Sequence, residues 1–276
     1  MVGMTLHIYD DLEQGTEEWL AARRGMVTAS VVGQLVTTGS PDAGSVGCPT
    51  CEAKADKPCM SMARKKDPAE IKTFHPARAS KAEALPPIFR VADNDTSRAL
   101  TALLVAERIT GWSDPTYMSD DMWRGREHEP FARDYYSGFY QQAVEVGFMV
   151  RREADWTLGY SPDGVVADDG LVEIKSPRSK AHLKTILANE VPPQYVPQLQ
   201  AGLLVSGRAW IDYVSFCAGM PLFVRRVTPD PRWHAAIVAA CRQYEKTAAE
   251  MVAAYTEKTK NLPATERIPD LDELVF

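Results

Sequence analysis

Leu158–Pro177 reads LGYSPDGVVADDGLVEIKSP, and the spacing inside this stretch decides how the rest of the chain is read. Two β-prone runs flank Asp168-Asp169-Gly170, so the segment reads as a hairpin. In a strand, residues two apart share a face, so Glu173 and Lys175 point together while Ile174 faces the opposite layer. Asp163 joins them only in one class of register. A two-residue turn at Asp169-Gly170 would pair Val166 with Glu173 and send Asp163 to the other face. A three-residue loop with Gly170 left-handed would pair Asp163 with Lys175, and this second register is the one we expect.

Two carboxylates and a lysine aimed at one place suit phosphodiester hydrolysis. Mg²⁺ or Mn²⁺ takes oxygen ligands, and Asp163 and Glu173 with waters and a substrate phosphate make a suitable octahedral set. Such a metal lowers the pKa of bound water and neutralises charge building on the phosphate, while Lys175 can orient that water. An Asp followed ten residues later by Glu-x-Lys also arises by chance as a surface hairpin with an incidental ion pair. The motif therefore needs structural context.

Outward from the hairpin, the pattern predicts an opening helix from Thr16, a good N-cap, to about Arg24, and a second helix starting near Thr28. Helical periodicity returns after Asp95, with Leu100, Leu103 and Leu104 on one side, and stops at Gly111. Another helix follows Ser119 and carries Glu129 towards Tyr136. Strands are expected near 144–150, 157–160, 164–167 and 171–175 as a central sheet. Helices near 180–189 and 194–206 follow, then strands near 210–216 and 222–227. Asp230-Pro231 caps a long last helix whose Trp233, Ile237, Tyr244, Met251 and Tyr255 form one packing face. The expected class is α/β (α+β), a central mixed sheet flanked by helices.

Composition allows this. The chain has 276 residues, 45% hydrophobic and 25% charged, enough for one large core with an appendage. A net charge of −6 argues against general coating of nucleic acid but leaves room for a local basic groove. Met1–Tyr9 lacks the look of a signal peptide and no apolar run approaches a membrane span, so the expectation is a cytoplasmic protein with no membrane partner.

Several ordered blocks together resemble the phage lambda exonuclease and YqaJ-like viral recombinase family, within the PD-(D/E)xK nucleases. WLAARRGMVTAS (Trp19–Ser30) is similar to the family's opening block, and GREHEPFA (Gly125–Ala132) to its helix with a catalytic Glu. LGYSPDGVV with LVEIKSP is similar to its metal hairpin, and YVPQLQ (Tyr195–Gln200) to its Tyr-x-x-Gln-x-Gln helix. The resemblance implies a restriction-endonuclease-like fold, with Asp163 and Glu173 as ligands of Mg²⁺ or Mn²⁺ and Lys175 as the water-activating lysine. It further implies Glu129 and Gln198 as catalytic residues, and Arg23 and Ser30 as holders of a DNA 5′ phosphate. Gln200 and Tyr195 take no firm role; Tyr195 is read as packing. The family's further upstream acidic residue has no clear match in Glu153 or Asp155. The implied activity is 5′-to-3′ digestion of double-stranded DNA in phage-type recombination. The implied assembly is a toroidal homotrimer working with a single-strand annealing protein. An endonuclease or RecB-like nuclease shares the same metal chemistry, and a non-catalytic DNA-binding module of the same fold is the reading from another class.

Residues 39–92 differ in character: Pro, Gly, Ser, Lys and three cysteines dominate and no regular period persists. They are read as an insertion between core segments 1–38 and 93–276. Cys48-x2-Cys51, Cys59 and His75 give three thiolates and an imidazole, a tetrahedral set for structural zinc in a finger-like loop. Arg64, Lys65, Lys66, Lys72, Arg78 and Lys81 around it suit contacts with duplex phosphates. Cys217 and Cys241 are expected to be small buried apolar groups.

Overall fold

The computed structural model describes residues 5–61, 69–114 and 118–268. Strand β1 (Thr5–Tyr9) leads to helix α1 (Glu17–Arg23), where Thr16 accepts from the Trp19 N–H and caps the first turn. Gly25 follows at φ +62°, a left-handed position that ends the helix. The helix expected from Thr28 does not form. Residues 27–29 instead run alongside Gly159, with Ala29 N–H donating to the Gly159 carbonyl at 2.8 Å and Gly159 N–H to that of Val27 at 3.0 Å. Only a short 3₁₀ turn, Val32–Leu35, remains. The β-branched Val27 and Thr28 favour that extended docking.

Strand β2 (Val36–Gly39) departs into the cysteine-rich lobe. The lobe contains β3 (Cys59–Met60), β4 (Glu70–Ile71) and helix α2 (Pro76–Glu83), and returns through β5 (Ile88–Val91). Strands β2 and β5 pair antiparallel, Gly39 opposite Ile88, and close the neck of the lobe. Helix α2 falls where no helix was expected: it buries Arg78 and Ala82 rather than an apolar stripe, so it leaves no hydrophobic period to read.

Helix α3 (Asp95–Thr110) starts at a capping box between Asn94 and Ser97 and ends at left-handed Gly111. Its Leu100 and Leu104 are buried, but Leu103 is exposed, against expectation. Helix α4 (Asp120–Phe139) is capped by Ser119. The strands β6 (Ala143–Val144), β7 (Phe148–Arg152), β8 (Thr157–Tyr160), β9 (Gly164–Val166) and β10 (Gly170–Lys175) follow. Helices α5 (Ser179–Ala188) and α6 (Val196–Ser206), strands β11 (Trp210–Ser215) and β12 (Phe223–Val227), and helix α7 (Pro231–Thr259) complete the order.

These strands make two main sheets where one was expected. The mixed sheet runs β12-β11-β10-β9-β6, with β10 and β11 parallel and the other pairs antiparallel; β1-β7-β8 forms an antiparallel sheet beside it. The apolar helix α6, with every residue from Leu199 to Val205 buried, packs on β7, β8 and β11 and on α7. The main core joins Leu158, Tyr160, Leu171, Leu199, Leu203, Ile211 and Tyr213 to Ile237 and Tyr244 of α7. On the other face of the mixed sheet, Ala132 and Tyr136 of α4 pack against Val172, Ile174 and Val214. Met251 and Tyr255 are exposed, so the packing face of α7 is shorter than its sequence pattern. Cys241 is buried as expected, whereas Cys217 is only partly so. Among the described residues no helix is long and apolar enough to cross a membrane.

The hairpin register differs from the expected one by two residues. Gly170 pairs with Val166 and Val172 with Gly164, around a loop of Ala167, Asp168 and Asp169 in which Ala167, not Gly170, has positive φ (+45°). Gly170 is extended, and its missing side chain has another cause: a Cβ there would stand 2.2 Å from the Trp210 ring. A shift of two keeps the pleat's parity, so Asp163 remains on the Glu173 face.

Candidate active site and metal centre

Strand β10 presents Glu173, 1% exposed, with Lys175 on the same face and Ile174 turned to the α4 layer. Three donors converge on the Glu173 carboxylate. Lys175 Nζ donates to Oε1 at 2.7 Å, Gln198 Nε2 of α6 donates to the same oxygen, and the Tyr160 hydroxyl donates to Oε2 at 2.9 Å. Asp163 precedes β9 and accepts from the Ile174 N–H at 2.6 Å, so its carboxylate is fixed by the backbone of the opposite strand.

The electrostatics follow from crowding. Burial, then the charges of Glu173 and Glu129, push the Asp163 carboxyl well above the usual carboxylate range, against the pull of Lys175 and the Ile174 N–H. Burial alone would lower Lys175, but Glu173 and Asp163 outweigh it and hold the ammonium above its ordinary value. Burial also raises Glu129, opposed by its ion pair with Arg133 and reinforced by Glu145 and Glu173. Glu129 approaches from α4, whose neighbouring residues pack on the far face of the sheet, yet its charge reaches Asp163. The oxygens of Asp163 and Glu173 fit a hard divalent cation, which would relieve the repulsion that raises Asp163.

A second cluster adjoins this one through the chain. Arg23 lies 4.1 Å over the Trp19 ring and donates to Thr28 Oγ1 at 3.1 Å and Ser30 Oγ at 3.4 Å. Trp19 Nε1 donates to Ser161 Oγ at 2.9 Å, two residues before Asp163. Arg23 and Ser30 are thus brought together and tied to the hairpin. Thr28, Trp19, Ser161 and Tyr160 were not singled out from sequence. The paired positions of residues 27–29 and Gly159 explain the link, and no local motif announces it.

Other residues resolve into structural duties. Gln200 donates to the Thr228 carbonyl and accepts from the Asp230 N–H, joining α6 to the start of α7. Tyr195 stacks on Tyr213 at 5.7 Å and lies under Lys175. Glu153 pairs with Arg151 and Asp155 with Arg242.

In the lobe, the ligand atoms of Cys48, Cys51, Cys59 and His75 all lie within 4.8 Å of one another. Three sulfurs and an imidazole fit a four-coordinate zinc. Burial would raise the Cys48 thiol, but the N–H groups of Cys51 and Thr50 and the thiols of Cys51 and Cys59 outweigh it and bring it to about 7. Cys59 is lowered too: burial opposes this, and Arg78 and the His75 N–H favour it. Of the basic run, Arg64, Lys65 and Lys66 lie outside the described residues. Arg78 is fully buried, so the expectation that it reaches DNA is withdrawn.

The sequence pattern of the YqaJ-like viral recombinase domain matches residues 18–209. Among solved structures, the chain is similar to an alkaline exonuclease (LHK-Exo) from Laribacter hongkongensis. The two are 25% identical with TM-score 0.65, over 90% of this chain and 100% of that one. The same enzyme in complex with dAMP aligns at 26% identity and TM-score 0.64, over 90% of this chain and all of that one. Comparison with curated proteins gives no match. With well over half its length inside the matched region and the fold of alkaline exonucleases around it, this chain belongs to the YqaJ-like viral recombinase domain family.

Proposed function

We propose that the protein is a metal-dependent 5′-to-3′ exonuclease on double-stranded DNA that exposes single strands for phage-type recombination. The observation that carries this is Glu173, gripped by Lys175, Gln198 and Tyr160 beside Asp163, on a hairpin tied through Trp19 and Ser161 to the Arg23 cluster. The family and the nucleotide-bound relative support it.

Asp163 and Glu173 would hold Mg²⁺ or Mn²⁺, which when bound supplies an activated water and positive charge against the phosphate. Lys175, kept protonated by its acidic neighbours, orients the attacking water and offsets charge developing on the phosphate oxygens. Gln198 and Tyr160 hold the Glu173 carboxylate in place, and Glu129 adds negative charge from α4. The planar fork of Arg23 and the hydroxyl of Ser30 hold the terminal 5′ phosphate, which sets the bond to be cut and so the polarity. Cys48, Cys51, Cys59 and His75 hold a structural zinc. By resemblance to the family, the working assembly is a homotrimer that hands its strand to an annealing protein in the cytoplasm of a host cell.

The test is digestion of linear duplex DNA labelled at either the 5′ or the 3′ end, with Mg²⁺, with EDTA, and with Asp163→Ala. Early release of 5′-terminal mononucleotides only with metal and intact Asp163 is expected. Internal cuts on circular DNA would assign an endonuclease instead, and absence of cleavage a DNA-binding module.

A further inference from the structure

The described part of residues 40–87 buries only four side chains: Cys48, Cys59, Arg78 and Ala82. A lobe of this size with one buried alanine and no aliphatic core cannot offset the entropy of ordering its chain through apolar burial. Two of the four are sulfur donors of the Cys₃His cluster, and a third is a guanidinium.

Arg78 spends its donors inward. Nε reaches the carbonyls of Ala43 at 2.7 Å and Val46 at 2.8 Å. Nη1 reaches that of Lys57 at 2.7 Å, and Nη2 those of Gly44 at 2.8 Å and Lys54 at 3.2 Å. Nη1 also donates to Cys59 Sγ at 3.4 Å, and the Phe74 ring lies 4.7 Å from the guanidinium carbon. Among the described residues no carboxylate pairs with it. A guanidinium keeps its charge in a protein, and a buried charge needs an opposite one. Carbonyl dipoles solvate Arg78 but do not neutralise it. Three thiolates and a neutral imidazole around a divalent metal carry one net negative charge, and that charge lies against Nη1.

We infer that Arg78 is the built-in counter-cation of a three-thiolate metal centre, and that guanidinium and metal together replace a hydrophobic core as what folds this lobe. The inference rests on the zinc reading of Cys48, Cys51, Cys59 and His75. Each half requires the other: the fork gathers the carbonyls of residues 43–57 around the site, and the anionic centre makes a buried guanidinium tolerable.

The test titrates the metal-stripped full-length protein with Co²⁺ alone and follows the thiolate charge-transfer absorption. It compares wild type with Arg78→Lys, which keeps the charge, and Arg78→Gln, which keeps polarity without it. Wild type is expected to bind one Co²⁺ per chain with that absorption; no such band would overturn the zinc reading and this inference with it. Loss of a partner to the metal's ligands commonly costs about 10- to 100-fold in affinity. Arg78→Gln is expected to lose that much and Arg78→Lys clearly less. A wild-type site with Gln binding as well as Lys would leave the zinc reading standing and overturn the counter-cation. Should Arg78→Gln not accumulate in soluble form, Arg78→Lys decides: retention of the band supports the role of charge, and its loss overturns it.

Discussion

Glu173 is the residue on which the site converges, since its two oxygens accept from three side chains contributed by β8, β10 and α6. Hydrogen bonds to a charged group are worth roughly 1.5–3 kcal/mol, so Tyr160→Phe should lower kcat by about tenfold or more while DNA affinity stays within a few-fold. Lys175→Ala removes the only cation of the set and should cost about 10²- to 10³-fold in cleavage, with binding retained in a gel-shift assay; equal cleavage by variant and parent would remove Lys175 from the mechanism. Asp163 predicts a separate effect on stability. Its folded-state pKa is raised, so the folded protein binds a proton that the unfolded chain has already given up. Stability contributed by that proton is present below the ordinary Asp value and fades as pH rises through the raised one. In EDTA, Asp163→Asn should therefore melt higher than wild type at about pH 8 and show little difference at about pH 4. Added Mg²⁺ should stabilise wild type alone; a variant that melts lower than its parent at the higher pH would contradict the crowding argument. Asp163, Glu173 and Lys175 were legible as neighbours because strand alternation and the family's blocks both point at them, and Gln198 was legible from the blocks alone. Tyr160 was not, because β8 and β10 lie in different sheets and no local period relates them. Arg78 was misread for a simpler reason: a charge in a basic run is normally outside.

Helix α6 shows how an element sets those residues. It delivers Gln198 to the site and presses Gly202 against the Tyr160 ring, where a Cβ would stand 2.7 Å from Cζ. Alanine at this position would gain up to about 1 kcal/mol in helix propensity, yet overpacking typically costs about 1–3 kcal/mol. The clash lies at the end of the ring that carries the hydroxyl, so Gly202→Ala should also slide the donor away from Glu173. Cleavage should fall together with melting temperature, and the Gly202→Ala/Tyr160→Phe double variant should lose little activity beyond the worse single one. Independent, multiplicative losses would show that Gly202 acts elsewhere. The hairpin marks the limit of reading elements from sequence. Strand identity and the shared face of Asp163 and Glu173 were legible, but the turn was assigned to Gly170 because glycine usually marks a left-handed position. Here Gly170 is required by the Trp210 ring, a neighbour from 40 residues along the chain that no turn rule contains. The helix expected at Thr28 failed likewise, because a tertiary pairing with Gly159 overrode the local pattern.

At the scale of the whole molecule, the cysteine-rich lobe joins the body through the antiparallel pair of β2 and β5. Strand β5 packs on α7, and Phe89 lies 4.3 Å from Trp233, so the neck belongs to the packing of the body while the main contacts of α2, β3 and β4 are within the lobe. Composition alone placed the change of character at residues 39–92; from the paired neck we propose 40–87 as the separable part. Gly39 stands directly opposite Ile88, which is the spacing a two-residue hairpin turn closes. Replacing residues 40–87 with Asn-Gly should therefore join β2 to β5 without moving either strand. Each mainchain partner in the neck is kept, and so is the Phe89–Trp233 contact. We expect this deletion to fold, to melt within a few degrees of the metal-loaded parent by circular dichroism, to bind no zinc, and to keep Mg²⁺-dependent digestion from DNA ends. Insolubility, or a melting temperature far below that of the parent, would show that the lobe carries part of the body's stability. Normal melting with loss of digestion only on long duplexes would instead assign the lobe to holding DNA. The expected outcome follows from where burial lies: every large apolar cluster among the described residues sits outside 40–87, and what we infer to hold the lobe together is the Arg78 guanidinium with the cluster of Cys48, Cys51, Cys59 and His75.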